Sequence, residues 1–104
     1  LTYFDHLSLK PSHLQAMTTL PTIHLNGTDA DSLYTEYRAV RKAVSQASDA
    51  LVAATCNARD FYPQRSDAWQ RARNERDEAL QMLQRVYEYA ERWEMHALDH
   101  RRAK

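Results

Sequence analysis

Residues 33–54, LYTEYRAVRKAVSQASDALVAA, decide the fold. Leu33, Tyr37, Val40, Val44, Ala47, Leu51 and Ala54 follow one another at alternating steps of four and three, the spacing of an apolar seam on a coiled-coil helix. A second seam runs through Trp69, Ala72, Arg76, Ala79, Leu83, Val86, Ala90, Trp93 and Ala97, with only Arg76 out of character. Two long amphipathic helices joined by a short connection must lie antiparallel, so the expected fold is all-α, a long coiled-coil-like helical hairpin.

The ends of the helices carry their own signals. Thr28 is the expected cap of the first helix, with Asp31 completing a capping box and Asp29 favourable at the positive helix end. Asn57 is a candidate left-handed cap at the other end, which places the first helix at about residues 29–56. Pro63 interrupts the connection, and Ser66 with Asp67 opens a second helix over about residues 66–100. Asp67 with Arg71 and Glu88 with Arg92 are spaced as ion pairs one turn apart. A turn centred near residues 61–62 would set Leu33 beside Ala90, Ala30 beside Trp93, and the Asn26–Thr28 turn beside Met95 and His96.

Residues 22–27 read as a short extended segment ending in an Asn26-Gly27 turn, where the only glycine of the chain gives backbone freedom. The hairpin domain then covers residues 23–104. Residues 1–22, broken by Pro11 and Pro21, have no regular period: either Met17 is an internal start that makes residues 1–16 an upstream extension, or the segment is an arm docking Tyr3, Phe4 and Leu7 on a helix seam.

The 104 residues form one domain, near the size at which a single core is marginal. Fourteen basic residues balance fourteen acidic ones, which argues against a field that draws duplex nucleic acid or an anionic membrane. One cysteine, Cys56, excludes an internal disulfide framework and reads as a small buried thiol. With no span of roughly 20 apolar residues and no secretory pattern at the start, the expectation is a soluble, cytoplasmic protein. Apolar residues outside the seams, including Tyr34, Leu80, Met82 and Tyr87, lead us to expect a helical-bundle homo-oligomer.

Catalysis has little to stand on. The chain has no glycine-rich elbow, no phosphate loop, and no histidine near Cys56 in sequence. His96 and His100 are one turn apart, yet two ligands on a terminal turn are better read as a solvated face than as a metal site. The expectation is a non-enzyme without cofactor or metal.

The two ends of the hairpin carry the better candidates. At one end the free N–H groups of the first helix favour an anion at Asn26 and Thr28, with Arg92 nearby, although Asp29 and Asp31 compete for the same groups. At the other, Arg59, Asp60, Phe61, Tyr62, Arg65, Trp69 and Arg73 gather three guanidiniums and three aromatic rings within fifteen residues. Arg59, Tyr62 and Arg65 are the candidates there for pairing a phosphate and stacking a base, or else the loop simply plugs the end of the core.

Ile23-His24-Leu25-Asn26-Gly27-Thr28 opening a helix, followed by Asn57-Ala58-Arg59-Asp60-Phe61-Tyr62-Pro63-Gln64 at the turn, resembles small uncharacterised phage and prophage proteins over about residues 20–95. In architecture the hairpin with its short N-terminal element is similar to the hairpin domain of phage sponge proteins that counter the CBASS and Thoeris defences. That resemblance implies an oligomer that sequesters a cyclic nucleotide or related anionic signal between subunits without cleaving it. The alternative is a structural or adaptor protein acting through its helical faces.

Overall fold

The computed structural model describes residues 18–103. Two helices, α1 (Ala30–Ala53) and α2 (Ala68–Arg102), pack antiparallel, and a short 3-10 turn over Ala58–Phe61 lies in the connection. No strand occurs among the described residues. Most of the reading of residues 1–22 lies outside the described residues.

The helix ends differ from expectation in instructive ways. Asp29, not Thr28, caps α1: its carboxylate accepts the Ser32 N–H at 2.9 Å and the Ser32 hydroxyl at 2.7 Å. Those two hydrogen bonds also hold the Asp29 carboxyl below its ordinary range. At the other end α1 stops at Ala53, and Asn57 is extended rather than left-handed. Gly27 does not adopt a positive φ either. Its use is spatial, because a Cβ there would meet the His24 ring at 3.0 Å, while the Gly27 N–H closes a turn onto the His24 carbonyl at 3.1 Å.

The larger correction concerns register. Arg41 meets Glu94, Arg76 meets Ala54, and Asp31 meets Arg101. Leu33 therefore clusters with Ala97 instead of lying beside Ala90, a displacement of about two helical turns. The first turns of α2 run past the end of α1, and the connection folds back along them.

Arg76 explains why this register holds. Its guanidinium donates to the carbonyls of Ala54 (2.7 Å), Val52 and Leu51 at the negative end of α1. The residue that broke the apolar seam is thus the cap of the opposite helix.

The facing seam is also rotated. Tyr37, Val44 and Leu51 stay on the inner side, but Arg41 and Ser48 replace Val40 and Ala47; on α2, Leu80 and Tyr87 replace Ala79 and Val86, and Glu94 joins Trp93. Size accounts for this. Trp93 packs on the Ala30, Leu33 and Ala97 cluster and stacks flat on Tyr37 with ring centres 4.6 Å apart, while fully buried Ala90 and Ala97 permit the close approach. Leu80, expected as an uncovered flank, is only 3% exposed, and Tyr87 is half-buried with its hydroxyl accepting from Arg41 at 3.1 Å. The Arg41–Glu94 pair makes two hydrogen bonds, at 2.5 and 3.2 Å, and holds the guanidinium charged against the opposing effect of burial.

Of the two ion pairs expected along α2, Asp67 with Arg71 forms at 3.3 Å. Glu88 is instead buried and accepts the Gln84 amide at 3.3 Å.

The register is open to a direct check. In a Cys56→Ser background, cysteines replacing Leu33 and Ala97 should oxidise readily to a cross-link. Cysteines replacing Leu33 and Ala90 should not, and the reverse pattern would restore the register expected from sequence.

Candidate functional site

Because α2 begins beyond the end of α1, the returning connection leaves a groove of about 530 Å³ at the turn end. Its size falls within the range of small-molecule sites. Asn57 and Cys56 line it from the connection, and Trp69, Arg73 and Asp77 line it from the overhanging part of α2. Trp69 is the centre of the arrangement: Phe61 packs beside it at 6.1 Å, and the Arg73 guanidinium lies over its ring at 5.5 Å. Phe61 therefore props the indole from the 3-10 turn. Arg76 also lines the groove, but its donors are spent on α1 carbonyls.

Chemically the groove offers an indole face, one guanidinium poised beside it, an amide, and the Asp77 carboxylate. This set suits a planar molecule that carries both an anionic group and an N–H donor. It contains no nucleophile paired with a base.

Arg59, Tyr62 and Arg65, expected as ligand residues at this end, do not line the groove. Arg59 sits in the 3-10 turn and is exposed, Tyr62 is 87% exposed, and Arg65 points into solvent within 3.7 Å of Asp67. Trp69 and Arg73 belonged to the same sequence cluster. Asn57, Asp77 and Arg76 did not, since only the overhang of α2 brings them together; the lone sequence signal was the break in the seam at Arg76.

At the opposite end, Asn26 and Thr28 are exposed in the turn before α1, where the Asn26 N–H reaches the His24 ring nitrogen at 3.3 Å. A smaller cavity of about 360 Å³ lies against Ile23, His24, Asp29 and His100. The Asp29 cap already occupies donors of the α1 N-terminus, which weakens that end as an anion site. Arg92 is not part of it, because the shifted register carries this exposed residue about two turns away. His96, expected beside the Asn26–Thr28 turn, meets the Pro21 carbonyl at 2.7 Å. No three metal-ligating side chains come together among the described residues.

The two candidate groups thus lie at opposite ends of one chain, along an α2 of 35 residues that is about 50 Å long. No helix among the described residues is long and apolar enough to cross a membrane. Comparisons with family models, curated proteins and solved structures give no match.

Proposed function

We propose that this protein is a non-enzymatic binder of a small anionic ligand, acting as a homo-oligomer. The observation that carries this reading is the groove at the turn end, where Trp69 and Arg73 combine a stacking face with a free-standing cation. Arg59, Tyr62 and Arg65 are exposed in the connection and so available to a ligand held between subunits. In an assembly of antiparallel hairpins, the Asn26 and Thr28 turn of one copy can complete the site of another. The resemblance to phage sponge proteins directs the ligand class toward a cyclic nucleotide-type signal in the host cytoplasm, which the protein would sequester rather than convert.

A melting-temperature panel tests this reading, because a ligand that binds only the folded chain must stabilise it. A cyclic mononucleotide, a cyclic dinucleotide, cyclic ADP-ribose and inorganic phosphate form the panel. At least one nucleotide should raise the melting temperature in proportion to the logarithm of its concentration. Arg59→Gln or Arg65→Gln should reduce that shift while leaving the ligand-free melt nearly unchanged, since exposed arginines contribute little to folding. A flat response across the panel favours the adaptor reading.

A further inference from the structure

Rotation of the helix contact has a second product. Val40 and Ala47 each precede an inward residue of α1, Arg41 and Ser48, and Val86 precedes inward Tyr87 on α2. One residue is a rotation of about 100°, and in an antiparallel pair the same rotational sense leads to the same side of the hairpin. The apolar seam that is so regular in sequence therefore emerges along one side. There Val40 is 41% exposed, Val86 43% and Met82 57%, with Val44, Leu51 and Leu83 half-buried between them.

Meanwhile the fully buried part of the contact between α1 and α2 is poor in large apolar groups, the Tyr37 and Trp93 rings being only partly buried. Among the described residues the buried apolar set is Ala30, Leu33, Ala68, Leu80, Ala90 and Ala97, and only Leu33 and Leu80 exceed alanine in size. The middle of the contact is occupied by the Arg41–Glu94 pair and by fully buried Ser48, whose hydroxyl has no hydrogen-bond partner. A core of this size leaves a domain of about 100 residues only marginally stable by itself.

We infer that the stripe through Val40, Ala47, Met82 and Val86 is the face on which a second copy of this chain packs, side by side, to make a four-helix unit. Three features select a second copy as the occupant. The stripe keeps a heptad spacing on both helices, so its complement is another heptad-spaced helix pair. Small side chains at Ala43 and Ala47 allow helices to approach closely, and the balanced charge of the chain opposes no self-association. Two faces of about 20 by 20 Å have a combined footprint of about 800 Å², close to the roughly 1,000 Å² that bounds a specific interface from below. Of the Tyr34, Leu80, Met82 and Tyr87 flanks expected from sequence this face keeps Met82, whereas Leu80 and Tyr87 are used within the chain.

The inference deepens the oligomeric half of the proposed function and makes no use of a ligand. Light scattering on the full chain over a wide micromolar range should give twice the chain mass. Met82→Lys and Val86→Glu should each halve it while circular dichroism keeps its helical signal. Met95→Glu, at an exposed methionine on the other side of α2, should leave the dimer intact. Should Val86→Glu unfold the chain, the more exposed Met82 position still decides. A wild-type monomer throughout the range overturns the inference, as does dissociation by Met95→Glu but not by Met82→Lys. Preferential cross-linking of Met82→Cys to residues 1–17 of its own chain would equally overturn it, by showing a different occupant. A monomer that still binds nucleotide would remove this inference and leave the ligand reading standing.

Discussion

Replacing Glu94 with alanine is expected to cost the hairpin about 3 kcal/mol, the low end for breaking a buried ion pair. Glu94 is 7% exposed at its side chain and receives both teeth of the Arg41 guanidinium, so its removal leaves a cation facing a helix contact. Arg41 retains 25% exposure and can turn partly to water, which moderates the loss. The desolvation penalty of the pair nearly cancels its attraction, so replacing both residues with leucine should restore most of the stability or exceed it. Urea unfolding of the single and double variants measures this directly. A single variant within about 0.5 kcal/mol of wild type would mean that the pair is not inside the contact.

The second large effect is expected at Arg76. Arg76→Ala removes three hydrogen bonds from a charged donor to the last carbonyls of α1, at a cost of about 2 kcal/mol. The figure stays moderate because those carbonyls lie in an exposed segment where water can replace the guanidinium. Arg76→Lys should recover little, since one ammonium cannot reach three acceptors in the manner of a planar fork. Hydrogen exchange gives the local signature. Amides in the last turn of α1 should exchange faster while those near Leu33 keep their protection. Uniform loss of protection along both helices would instead place Arg76 in the general packing.

Much of the fold was legible because heptad spacing is a strong signal. Two helices, their antiparallel order and the connection around Pro63 all follow from positions that can be counted. The register was not legible, because it depends on Arg76 reaching the end of α1, and a charged residue inside an apolar seam reads as a flaw. The rotation of the contact escaped for a related reason. Arg41, Glu94 and Ser48 are residue types ordinarily assigned to the surface, and no count of apolar positions reveals that two of them pair across the helices. At the turn end, Trp69 and Arg73 stood out by composition. Asn57 and Asp77 join them only through the overhang of α2, and Arg92 left the opposite end for the same reason.

Binding at the groove is the central claim, and Trp69 reports on it. The chain has two tryptophans, so Trp93→Phe, which keeps an aromatic ring on Tyr37, leaves Trp69 as the sole indole. Titration of this variant with cyclic nucleotides should change its fluorescence saturably for at least one of them. Adding Arg73→Gln should weaken that ligand by roughly tenfold or more, the loss of one charged hydrogen bond. No spectral response from any nucleotide, or an equal response with and without Arg73, would contradict the account.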